Sequence, residues 1–222
     1  MKAMLTLTVS YSIPYACQFA SPELVRAFIR KEIPLEQDAR WAEYGAASPQ
    51  EYAHWALRSC GVVCVKMAAE GITGRLSGTV MDWVKEGLSL DGYIANQRAD
   101  RPAEVGWKHA TLARLAVERG CQAKLAANLT LDGLRDHVRA NRVVIASVSS
   151  ELGEKDGPLT RNSGHLVVVY GVILSGGNTV EAVILHNPSG RTMNLQAGAE
   201  IAAGRFTAGF SGRGIVVEAA AQ

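Results

Sequence analysis

The chain has 222 residues, close to half of them apolar, with 23 Lys and Arg against 21 Asp and Glu. That length allows one ordinary domain, or two small lobes sharing a cleft, with enough apolar residues for a real core. The near-neutral charge and the lack of a Lys/Arg run exclude a nucleic-acid footprint, and four cysteines (Cys17, Cys60, Cys64, Cys121) are too few for a disulfide scaffold.

No stretch reaches the length that spans a bilayer. The alternating start, Met4-Leu5-Thr6-Leu7-Thr8-Val9, reads as a strand and not as the apolar run of a signal peptide. A cytoplasmic chain in a reducing compartment is expected. Pro14 turns Ile13–Gln18 into a loop, and Ser21-Pro22-Glu23 opens a helix with Ser21 as N-cap and Pro22 in its first turn. Residues 34–49 are polar and irregular around Trp41 and Tyr44. Ser48-Pro49 starts a second helix, which runs through Tyr52 and Trp55.

The segment from Trp55 to Glu70 dominates the reading. After Cys60, the residues Val63, Cys64, Met67 and Ala68 recur at helical steps of three and four, with Ser59 placed as N-cap. Cys60 then lies in the first turn, where the helix dipole should lower a thiol pKa. A helix around Asp82-Trp83-Val84 is expected to end near Gly87, followed by a short helical piece over Leu88–Tyr93. The loop-like segment 97–106 marks a lobe boundary. It separates a helical lobe of about residues 10–100 from a β-rich lobe of about 105–222, both within one domain of residues 1–222.

Past that boundary, a helix over 108–119 stops at Gly120, and a strand follows from Cys121 to Leu125. Thr130 caps a helix to about Ala140. Strands are read at 142–149, 165–174, 180–186 and 213–218, with a hairpin turn at Gly176-Gly177-Asn178. Helices first and strands later make an α+β fold.

Nucleophilic thiol chemistry needs a cysteine, an imidazole base, a group to orient the ring and donors for the oxyanion. Cys60 at a helix start, His165 at a strand start, Asn187 just after the paired strand and Gln18 in the Pro14 loop supply one of each. Each also has a plain structural use: a packed thiol, a surface histidine, an Asn-Pro turn, a loop amide. His186 should face away from Asn187, and His54, His109 and His137 read as surface or packing residues on helices. Cys60 and Cys64 lack the paired knuckles of structural zinc and are one residue too far apart for a redox dithiol. The glycines form no phosphate loop. No metal or cofactor is expected.

Cys60-Gly61-Val62-Val63-Cys64-Val65-Lys66-Met67 resembles the Cys-Gly-x-Ala-x-Leu-x-Met block of the bacteriocin-processing, double-glycine-leader peptidases and their stand-alone relatives. Gly164-His165 opens a strand like that family's Gly-His strand, Asn187-Pro188 stands where the family has Asp-Pro, and Ile13–Gln18 is similar to the Pro-x-x-x-Gln opening of stand-alone members. The resemblance covers roughly residues 11–190. It implies a papain-like cysteine proteinase fold, a Cys60-His165-Asn187 triad and Gln18 in the oxyanion hole of a peptidase acting on a peptide substrate through a thioester. Two features depart from the pattern. His54 stands six residues before Cys60, where transporter-linked members carry Gln, so Gln18 fits only with residues 19–54 as an inserted helical segment. Asn187 also brings no negative charge. No ATP-binding or membrane domain is expected within these residues. The same thioester could pass to an amine, as in an acyltransferase or transpeptidase, or the fold could serve as a peptide-binding partner protein. The sequence is silent on oligomeric state.

Overall fold

Val143–Ser149 is a β-branched run with no polar alternation, and every residue in it is buried. A strand of that kind needs cover on both faces. The computed structural model, which describes residues 4–95, 106–176 and 178–220, supplies it. In chain order the elements are β1 (Leu5–Thr8), α1 (Val25–Ile29), α2 (Pro49–Ala56), α3 (Cys60–Thr73), α4 (Val80–Ser89), β2 (Tyr93–Ile94), β3 (Gly106–Trp107) and α5 (His109–Glu118). They continue with β4 (Cys121–Ala126), α6 (Leu131–Arg139), β5 (Val143–Ser149), β6 (Gly164–Ser175), β7 (Thr179–His186), β8 (Ala199–Ala202), α7 (Ala203–Ala208) and β9 (Phe210–Ala219).

Seven strands form one antiparallel sheet in the order β4-β9-β5-β6-β7-β8, with β1 on the far half of β6. β5 sends Val143 and Ile145 to a core shared with α2 to α5, and Val144, Ala146 and Val148 to a second core containing Leu134 of α6 and Phe206 of α7. Burial on both faces explains why β5 reads as an unbroken apolar run. The large first core belongs to α3, whose buried residues include Val62, Val63, Cys64, Met67 and Ala68. Cys64 Sγ donates to the Leu166 carbonyl at 3.2 Å, tying α3 to β6.

Several local readings change. Ser59 is at the N-cap position of α3, but its side chain makes no capping bond and instead accepts from the buried Tyr44 hydroxyl at 2.7 Å. Ser21 likewise does not cap; its Oγ donates to Asp38 at 2.6 Å, and Pro22–Leu24 is a single 3-10 turn before α1. Residues 88–93 hold no separate helix: α4 runs on to Ser89, and Tyr93-Ile94 pairs as a strand with Gly106-Trp107. Aromatic packing decides there, with Tyr93 and Trp107 ring centroids 5.3 Å apart. Short β8 and α7 were not foreseen, because Ala199–Ala208 carries neither a strong period nor a strong cap. The expected boundary at 97–106 lies outside the described residues except for Gly106.

Residues 19–54 form a helical elaboration that includes most of α2. Its centre is the buried carboxylate of Asp38, which accepts from Ser21 N and Oγ, Arg40 N and the Tyr52 hydroxyl. The Tyr52 oxygen in turn accepts from Ala20 N at 3.0 Å. Asp38→Ala strands four donors in a buried site, so the stability measured by urea unfolding should fall by about 3 kcal/mol. A loss under about 0.5 kcal/mol would show that water replaces the carboxylate at no cost.

Candidate active site

A cavity of about 690 Å³ opens where the start of α3 meets the start of β6, and both Cys60 and His165 line it. Cys60 is the first residue of α3 and half-buried. His165 is the second residue of β6 and 5% exposed. It follows Gly164, whose φ of 100° lies in the left-handed region that glycine adopts without strain. That turn sets the side chain of the next residue at the cavity wall.

The β6–β7 pairing brings the third residue to the ring. His186 pairs with Val168, so the end of β7 runs beside the start of β6, and Asn187 follows immediately. His165 Nε2 lies 2.9 Å from Asn187 Oδ1. Ser189 N–H donates to the same oxygen at 3.0 Å, which identifies that atom as the acceptor end of the amide. The hydrogen on the neutral ring therefore sits on Nε2, and Nδ1 carries the lone pair. Ser189 Oγ is a second neighbour of Nε2 at 3.1 Å.

The turn that carries Asn187 is clamped from several sides. Asn187 N donates to the Gln196 carbonyl at 2.9 Å, and Gln196 Nε2 donates to the Gly190 carbonyl at 2.9 Å. A Cβ on Gly190 would meet the Leu195 carbonyl oxygen at 2.0 Å, so only glycine fits that approach. The Pro14 loop closes the other side. Gln18 N and Cys17 Sγ both donate to the Pro188 carbonyl, at 2.9 and 3.2 Å, and the Tyr15 hydroxyl donates to that of Asn187 at 3.3 Å. His186 faces this loop: its Nε2–H donates to the Ile13 carbonyl at 3.0 Å while Nδ1 accepts from Gly198 N–H at 2.9 Å. With both nitrogens used, His186 is a structural tie.

Gln18 is buried under the α2–α3 junction, with Nε2 donating to the Ala56 carbonyl at 2.8 Å. Its Oε1 is buried without a partner among the described residues. His54 is exposed, its ring edge-on to Trp55 at 4.9 Å. It is not among the residues that line the cavity.

The expected lowering of the Cys60 thiol pKa is reversed. Burial pushes it up, and the backbone N–H groups of Leu166, Gly61 and Cys60 itself offset only part of that rise. Burial drives His165 the other way, to about 4; the Asn187 hydrogen bond raises it and the charge of Arg191 lowers it further. Both shifts favour the neutral forms of thiol and imidazole. Burial raises the remaining thiols as well, Cys17 and Cys121 to about 11 and Cys64 well above its usual value.

Sequence reasoning missed Ser189, Arg58, His109 and Arg213 as neighbours of Cys60 and His165. Arg58, His109 and Arg213 line the cavity, and no carboxylate does among its described lining residues. His109 was read as surface or packing; its place at the start of α5 turns it to this wall. The signal for Ser189 was present in Asn187-Pro188-Ser189, an Asn turn whose side-chain oxygen meets the N–H two residues on.

No family sequence model matches the chain, and no curated protein matches it. Among solved structures, a protein described as a C39-like peptidase from Bacillus anthracis superposes with a TM-score of 0.54 at 15% identity, covering 97% of this chain and 99% of its own. The peptidase domain of Streptococcus ComA, a bi-functional ABC transporter of a quorum-sensing pathway, gives 0.47 at 13% identity over 74% of this chain and 93% of its own. A double glycine motif protease from an AMS/PCAT transporter, in complex with its leader peptide, gives 0.44 at 14% over 73% and 85%. The chain has the C39-like, papain-like cysteine peptidase fold, and the resemblance seen in its motifs extends to its architecture. At this identity the likeness defines a fold and not an activity.

The ring also leaves a mark on acid stability. His165 is neutral when folded down to about pH 4, whereas an unfolded histidine takes up a proton near 6.5. Between those values the unfolded chain binds more protons, so stability falls as pH drops from about 6.5 to about 4, by at most about 3 kcal/mol from this group. His165→Gln should flatten the fall of urea-unfolding stability across that window. An unchanged slope would mean that His165 titrates like an exposed histidine.

Proposed function

We propose that residues 1–222 form one papain-like unit that hydrolyses a peptide or amide bond with Cys60 as nucleophile. The observation that carries this reading is the His165 ring: Nε2 is held on Asn187 Oδ1 at the wall of the cavity that Cys60 shares, which leaves Nδ1 as the basic nitrogen. As Cys60 Sγ attacks the carbonyl carbon, its proton passes to Nδ1 and the oxyanion forms. The C–N bond then breaks, the amine leaves with the proton from Nδ1, and a thioester remains. Water attacks the thioester and gives a proton to Nδ1; the C–S bond then breaks, and Nδ1 returns that proton to the departing Cys60 sulfur as the acid is released.

With both groups neutral at rest, the imidazolium exists only while the sulfur is giving up its charge. Asn187 orients the ring but brings no charge to hold an imidazolium in advance. The Cys60 N–H and the second amide hydrogen of Gln18 serve the oxyanion. The Gln18 amide lies against the carbonyl of Ala56, four residues before Cys60, in a loop fixed to Pro188. No metal or cofactor enters this scheme. Four free thiols suit a reducing compartment, where we place the protein. Among the described residues no helix is long and apolar enough to cross a membrane.

Peptide turnover followed by mass spectrometry, with an added amine, tests the scheme and separates hydrolysis from acyl transfer. Cys60→Ala and His165→Ala should abolish turnover with folding unchanged, and Asn187→Ala should lower it less than His165→Ala does. Full activity in Cys60→Ala would overturn the reading. The two oxyanion candidates separate in the same assay. Gln18→Ala should cost about 100- to 1,000-fold in kcat, the worth of one oxyanion donor, and His54→Ala far less. The reverse ranking would remove Gln18 from the site.

A further inference from the structure

We propose that Ser189 is a positioning residue for His165: its hydroxyl oxygen is a second acceptor for the Nε2–H and shares that hydrogen with Asn187. The inference rests on the peptidase reading for its catalytic meaning, but the hydrogen bond itself can be measured without any substrate.

The geometry is closed on every side. Ser189 is 4% exposed and its Oγ lies 3.1 Å from Nε2. The alternative direction, with the hydroxyl donating to a bare Nε2, would face the lone pair of that nitrogen with Asn187 Oδ1 at 2.9 Å. Ser189 N–H fixes that oxygen at 3.0 Å, so the amide does not turn to relieve the repulsion. One residue thus holds the orienting amide through its backbone and the ring through its side chain.

The chemistry supplies the reason for two acceptors. When Nδ1 takes the thiol proton, the ring becomes a cation, and its Nε2–H becomes a stronger donor. A carboxylate in the orienting position would meet that cation with charge; here two neutral oxygens share the task. Among the described residues that line the cavity, no carboxylate faces the ring. Cys60 on α3 carries the transferred proton. Arg191, two residues past Ser189, is cationic and shares its charge with Glu154 at 3.5 Å. Arg58, His109 and Arg213 line the same cavity.

Two acceptors on one hydrogen also predict redundancy. Removing either leaves the ring held by the other; removing both frees it to exchange tautomers and turn.

The test uses the intact chain, the Ser189→Ala, Asn187→Ala and double variants, and Ser189→Thr, which keeps a hydroxyl. Ring nitrogen shifts of His165 are read by NMR at neutral pH, and the rate of Cys60 alkylation by iodoacetamide is followed by peptide mapping. The wild type and Ser189→Thr should show the Nε2–H tautomer and similar rates. Ser189→Ala should slow alkylation about 3- to 10-fold, the equivalent of about half to one unit in ring basicity. The double variant should lose more than the product of the single losses and show a mixture of tautomers. An alkylation rate in Ser189→Ala within 1.5-fold of wild type, or a double variant equal to the product with its tautomer intact, overturns the proposal. A purely structural role would lower thermal stability in Ser189→Ala without moving either signal. If His165→Ala leaves Cys60 alkylation unchanged, the peptidase reading fails, while the ring shifts still decide whether Ser189 holds the ring.

Discussion

The site depends on one short turn, Asn187 to Gly190, wedged between the end of β7 and the Pro14 loop. Its backbone is tied to Gln196, its carbonyls accept from Tyr15, Cys17 and Gln18, and its side chains meet the His165 ring. Everything upstream serves that wedge. The antiparallel register of β6 and β7 places the turn beside His165, and the double-sided burial of the sheet fixes the register. Moving β6 by one residue would turn His165 to the opposite face of the sheet.

The second constraint is burial. Burial favours the neutral thiol and the neutral imidazole, and no carboxylate stands among the described residues that line their cavity. A helix N-terminus alone does not reverse that balance: the N–H groups at the start of α3 pull the Cys60 thiol down, and burial pushes it up further. On the proposed mechanism such a site forms charge only during reaction, and Asn187 adds no charge of its own to hold an imidazolium.

Much of this was legible in the sequence, where periodicity or turn chemistry is strong. The α3 pattern, the Ser48 and Thr130 caps, the Gly120 stop and the run at 143–149 each follow from one local rule, and the structure holds all of them. Residues 88–94 did not, because aromatic packing of Tyr93 on Trp55 and Trp107 overrides a local helical signal. Ser59 and Ser21 look like caps by sequence, yet Tyr44 and Asp38 compete for their hydroxyls from distant positions. The contact of His165 with Asn187 was inferable from the hairpin; the Asn turn signals the Ser189 N–H bond to Asn187 but not that the Ser189 hydroxyl reaches the ring. The cavity walls from α5 and β9 come from tertiary packing alone.

The central claim is that Cys60, and no other thiol, is activated by the ring of His165. The direct measurement is limited alkylation of the folded chain at pH 7 with a small thiol reagent, followed by peptide mapping of Cys17, Cys60, Cys64 and Cys121 in the wild type and in His165→Ala. The account predicts label on Cys60 alone in the wild type and loss of that selectivity in His165→Ala. Equal labelling of Cys17 or Cys121, or a Cys60 rate indifferent to His165→Ala, would contradict it.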